Sequence, residues 1–210
     1  MWYKSYVVFS FFLLPVFLCA QKTVIKDSIV VTGNEKEATE GYNWVPPFDS
    51  SIYYKDTVIQ WMTIEQALAA QKKNPKKIYV NIYANWCKWC KMSDQLVFRN
   101  REIAHYTNQH FYPVKFNCEH KEPLYFKDRK YTFINEEHLY VHEFSLFLLN
   151  RMQSYPGTVI INEDGNVVTV KTGYMTPGYT EDFLNFYGSD SYKTMSFSDF
   201  QDDFFGKVWD

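Results

Sequence analysis

The stretch YANWCKWCKM, Tyr83–Met92, sets Cys87 and Cys90 two residues apart with a tryptophan before each. Such a pair serves as a redox dithiol, as half of a metal site, or as a passive disulfide, and the surrounding chain has to decide among them. Immediately before it, KKIYVNIYA (76–84) is an apolar run rich in β-branched and aromatic residues, short enough for a buried strand. Immediately after it, residues 88 to about 110 contain neither Gly nor Pro and predict a helix, so Cys87 falls at the helix N-terminus and Cys90 one turn inside. A cysteine in that place meets free backbone N–H groups and the positive end of the helix dipole, which favour thiolate over thiol, and Lys88 and Lys91 add positive charge. Cys87 is therefore read as the attacking sulfur and Cys90 as the sulfur that resolves the mixed disulfide.

Working outward, Trp61–Lys73 predicts an amphipathic helix with Thr63 as its N-cap, ending before Asn74-Pro75. FYPVKFNCE (111–119) predicts a second strand, followed by a polar stretch over 120–133. NEEHLYVHEFSLFLLNRM (135–152) predicts a helix with Leu139, Phe144, Phe147 and Leu148 on its apolar face. YPGTVIINEDGNVVTVKTG (155–173) predicts two strands joined across Glu163–Asn166, and helices are predicted over Thr180–Tyr187 and near Phe197–Phe205. This order implies an α/β architecture whose mixed central sheet has parallel strands joined by helices and an antiparallel hairpin at one edge. Chemistry in such sheets gathers beyond the carboxyl ends of the strands, where the cysteines lie.

At 210 residues the chain has room for one domain with extensions and needs no disulfide staples to hold a core. Residues 1–20 hold one lysine, no acid, an apolar run from Tyr6 to Leu18 and a small Ala20. They read as an export signal cleaved near Ala20, and the run is short of the roughly 20 residues of a membrane-crossing helix. Cys19 leaves with the leader, so Cys87, Cys90 and Cys118 remain, and a soluble, exported chain in an oxidising compartment is expected. Residues 21–56 read as an N-terminal extension, 57–188 as the domain and 189–210 as a tail. A net charge of −2 with no basic cluster speaks against nucleic acid as a partner. Aromatics, 20% of the sequence, recur inside apolar runs and read as core.

YVNIYANWCKWC resembles the active-site strand and turn of the thioredoxin-like superfamily, VKFNCE the strand after its first long helix, and YPGTVIINEDG its cis-proline strand and hairpin. The form WCxWCKxM is similar to that of exported bacterial thioredoxin-fold domains. The resemblance implies a thioredoxin-like three-layer fold over 57–188, thiol–disulfide exchange with no cofactor, and a bacterial periplasmic setting. It implies protein or small thiol and disulfide substrates, with a membrane or soluble redox partner. It further implies Cys87 as nucleophile, Cys90 as resolving thiol, Trp86 as a recognition residue, and Pro156 as a cis-proline that turns Tyr155 backbone groups toward substrate. Lys115 matches the family's lysine on the neighbouring strand. Asn81 stands where the family has a buried aspartate, so proton transfer at Cys90 falls to water, Lys115 or Glu119. Lys88-Trp89 replaces Gly-Pro between the cysteines. The cation stabilises the thiolate and desolvation by Trp89 opposes it, so the redox direction stays open.

Two other readings compete. Cys118 and His120 could join the cysteine pair in a four-ligand metal site, as in a metallochaperone module, and His138 and His142 share a face of the predicted helix at i, i+4. HLYVH lacks the glutamate of a zinc-protease motif, however, and no metal ligand set is assigned. Alternatively the pair is a structural disulfide in a non-catalytic protein-binding module.

Overall fold

The computed structural model describes residues 58–208 except Glu137. The leader, the extension up to Thr57 and their assigned roles lie outside the described residues.

Helix α1, Ile64–Lys73, starts at a capping box in which Thr63 Oγ1 accepts the Gln66 N–H and Gln66 Oε1 accepts the Thr63 N–H. Strand β1, Lys77–Tyr83, is buried along nearly its whole length, as expected of a central strand covered on both sides. Cys87 caps α2, Lys88–Met92, which runs into a π-helical turn, Ser93–Val97. The helix expected over 88–110 is interrupted there. Asn100 takes extended backbone angles and its side chain caps a separate α3, Arg101–His110, through the N–H groups of Glu102 and Ile103. Strand β2, Phe111–Asn117, follows.

The polar stretch after β2 holds more structure than its composition suggests. Strands β3, Leu124–Phe126, and β4, Arg129–Tyr131, form one hairpin; β5, Phe133–Glu136, and β6, Leu139–His142, form another. The single helix expected over 135–152 is therefore corrected to a hairpin followed by a short α4, Glu143–Leu148. His142 ends the strand and caps the helix, so His138 and His142 do not share a helix face. The tyrosine and β-branched valine of LYVH suit a strand, and aromatic packing of Phe126 and Tyr131 on Phe144 holds the β3–β4 hairpin against α4.

Strands β7, Gly157–Ile161, and β8, Val167–Thr172, are joined by the expected turn, where Gly165 takes φ +76°. Helix α5 spans Pro177–Gly188, longer than the sequence suggested, and α6 spans Phe197–Asp203. The main sheet has the order β2-β1-β7-β8, with β1–β2 parallel and the other pairs antiparallel. Alternation along β1 sends Ile78, Val80 and Ile82 into a core with α1 and α4, and Tyr79 into a second core with α3 and α5. The result is a thioredoxin-like three-layer α/β/α fold. Among the described residues no helix is long and apolar enough to cross a membrane.

Candidate active site

The buried strand β1 ends at Tyr83, and a short turn, in which Cys87 N donates to the Ala84 carbonyl, delivers Cys87 to the start of α2. Cys87 and Cys90 are joined as a disulfide with their Cα atoms 5.3 Å apart. Each residue is only 4% exposed, and the Cys90 N–H points at Cys87 Sγ at 3.0 Å. That N–H is one of the free donors of a helix start, and on reduction it can stabilise a Cys87 thiolate.

The other residues singled out in the sequence distribute around this pair. The Tyr155–Pro156 peptide is cis. Trp86, 67% exposed, meets the Tyr155 ring edge-on at 5.9 Å. Lys88 is exposed beside it. Lys115 sits in register with Asn81 across β1 and β2, and its ammonium bonds the Asp94 carboxylate while lying over the Tyr83 ring at 5.1 Å. A carboxylate thus meets Lys115 after all, supplied by the π-turn after α2 and not by β1. No short sequence pattern marks it. Asn81 is buried and borders a cavity of about 10 Å³, shared with Tyr79, Ser93, Pro156 and Thr158. That space admits about one water.

One further residue, Tyr174, went unread in the sequence. Trp89, 54% exposed, leans on Tyr174 with ring centroids 5.6 Å apart. No local pattern marks Tyr174; it is brought there because the Gly173 N–H bonds the Pro156 carbonyl at 2.8 Å. On the other side, Cys118 is a buried free thiol next to Tyr155. Burial pushes the Cys118 thiol up from its ordinary value, and burial together with Cys118 pushes the Tyr155 phenol up, so both stay protonated at neutral pH. Among the described residues no three His, Cys, Asp or Glu side chains gather as a metal-binding group. His120 lies against the His142 and Phe116 rings.

A family model described as a thioredoxin-like domain matches residues 64–188. No curated protein matches the sequence. Among solved structures, the chain is similar to a DsbH oxidoreductase at 15% identity, over 76% of this chain and 98% of that one, with a TM-score of 0.45. It is similar to a disulphide isomerase from Xylella fastidiosa Temecula1 at 26% identity, over 66% and 83% of the two chains, with a TM-score of 0.37. A thioredoxin-fold protein from Helicobacter pylori matches at 21% identity, over 61% and 80%, with a TM-score of 0.42.

Proposed function

The chain belongs to the thioredoxin-like domain family, and on that premise we propose that it is an exported thiol–disulfide oxidoreductase in which Cys87 attacks and Cys90 resolves. The observation that carries this reading is the Cys87–Cys90 disulfide at a helix start, with a backbone donor on Cys87 Sγ. In the reduced protein the Cys87 thiolate attacks one sulfur of a substrate disulfide. A mixed disulfide forms and the other substrate sulfur leaves as a thiolate that takes up a proton. The Cys90 thiolate then attacks Cys87 Sγ, which forms the Cys87–Cys90 bond and releases the second substrate thiol. Two electrons pass to the substrate, and an external dithiol resets the pair; oxidation of a substrate dithiol runs the same steps in reverse.

Cys90 must lose a proton before it attacks. Asn81 cannot take it, and the Lys115–Asp94 pair in the neighbouring register is the ionisable group we assign to assist. Export rests on the leader read in residues 1–20. The assignment is tested by dithiothreitol-driven insulin reduction with mature protein, alongside mass spectrometry of the adducts. Cys90→Ser is expected to accumulate mixed disulfides through Cys87; full activity without adducts overturns the assigned roles. Elemental analysis of the reduced protein addresses the metal reading, which requires about one ion per chain, lost in Cys118→Ser or His120→Ala.

A further inference from the structure

The surface around the disulfide is strongly aromatic. Each tryptophan of WCKWC is pinned by a tyrosine from the Pro156 side: Trp86 by Tyr155, which precedes Pro156, and Trp89 by Tyr174, held by the Gly173–Pro156 hydrogen bond. Two aromatic walls thus flank the nearly buried sulfurs. Large rings left more than half exposed, yet held in place, offer apolar contact area at little cost in side-chain entropy.

The charges are uneven. Lys88 and Lys91, three apart on α2, share one exposed face, and among the described residues neither joins an ion pair, whereas Lys115 is taken up by Asp94. The carboxylate of Glu119 acts on Cys118 and Tyr155, at the opposite wall. Building on the exchange reading above, we propose that this cleft recognises a polypeptide cystine flanked by aromatic side chains and by a carboxylate on the side that meets α2. The rings fill the space between the walls, and the carboxylate meets Lys88 and Lys91.

The test uses disulfide-cyclised peptides identical except beside the cysteines: Phe with Glu, Phe with Lys, and Ala with Glu. With mature protein regenerated by dithiothreitol at low ionic strength, kcat/KM for Phe with Glu is expected to exceed that for Phe with Lys about ten-fold, as two partly exposed charge pairs worth about 1.4 kcal/mol together would give. This ratio is expected to shrink toward one in 1 M salt and to invert in Lys88→Glu/Lys91→Glu. The Phe-to-Ala ratio is expected to collapse in Trp89→Ala and in Tyr174→Ala.

Binding is followed separately, by tryptophan fluorescence of the oxidised protein titrated with the same peptides carrying serine for cysteine, and the same order of Kd is expected. Equal kcat/KM and equal Kd across the peptides, or a preference for the lysine peptide, overturn the proposal. Ordered binding without turnover of any peptide or of hydroxyethyl disulfide supports the docking surface and overturns the exchange reading alone.

Discussion

The two ends of β1 handle charge in opposite ways. At its start, Lys77 is buried and bonded to Glu163 at 3.0 Å and to Asp190 at 2.7 Å, with Lys193 sharing Asp190. Burial alone would lower the pKa of Lys77, but its two carboxylate partners outweigh this and hold it above its ordinary value. At the other end Lys88 and Lys91 stand exposed, the tryptophans face solvent, and the sulfurs lie just beneath. One end satisfies every charge it buries; the other leaves cations and rings available. Stability and reactivity should therefore be separable by mutation.

The largest effect is expected at the reactive end. Cys87→Ser should bring insulin reduction down to the uncatalysed background, while unfolding free energy measured under reducing conditions moves by about 1 kcal/mol or less. A large loss of stability in that variant would break the separation. At the other end Lys77→Met should cost roughly 2–3 kcal/mol in urea unfolding, discounted from the cost of breaking a fully buried pair because Glu163 and Asp190 still reach water. Turnover per folded molecule should not change; a fall in turnover at full stability would show that the two ends are coupled.

The reactive end was also the more legible in sequence. A Cys-x-x-Cys following a buried strand, with a proline before a later strand, identifies its own neighbourhood because the signals are local. The α/β order followed from periodicity for the same reason, whereas the three-layer fold and the place of Pro156 beside the cysteines followed from the resemblance to the thioredoxin-like superfamily. What escaped was set by tertiary packing. Leu139 reads in sequence onto one apolar face with Phe144, Phe147 and Leu148; the last three do lie on α4, but Leu139 sits in β6, which is drawn into pairing with β5. The break between α2 and α3 carried a readable signal, since asparagine is a preferred N-cap, yet the absence of Gly and Pro outweighed it. Asp94 and Tyr174 join the site through contacts between elements, Lys115 across to α2's π-turn and Gly173 to Pro156, and no short pattern encodes these.

A smaller effect tests a stabilising device away from the sulfurs. The buried carboxylate of Glu181 on α5 accepts the N–H groups of Lys207 and Val208 at 3.0 and 2.8 Å, tying down the tail so that Val208 enters the second core. In Glu181→Gln one oxygen still accepts, but the amide NH2 meets the other donor. The loss should be about 1 kcal/mol, with faster hydrogen exchange at Lys207 and Val208 and unaltered turnover. Unchanged exchange at those amides would mean that Val208 packing alone holds the tail.

The smallest effect sharpens the comparison by pH. His142, at the cysteine end, is fully buried; its Nδ1 accepts the Phe144 N–H, so the proton sits on Nε2 and bonds the Glu122 carbonyl. Burial lowers its pKa from 6.5, against the pull of that carbonyl and with His120 adding to the lowering, because a second proton would fall on Nδ1, facing an N–H donor. The unfolded chain therefore binds more protons below pH 6.5, and the stability that neutral His142 contributes, full above 6.5, is lost as pH falls through its folded value. His110, where α3 meets the Lys77 end, shifts the same way through burial and the nearby Lys76 and Lys77, but it is partly exposed. Asp190 and Glu143, with lowered pKa values, act only below their ordinary carboxylate range, so the interval from pH 7 to 5 isolates the histidines. Urea unfolding across that interval should show stability falling with acid by less than about 1 kcal/mol beyond any general charge effect. His142→Asn keeps a capping acceptor and should flatten that slope more than His110→Gln does. The reverse order would place the acid-sensitive element at the Lys77 end.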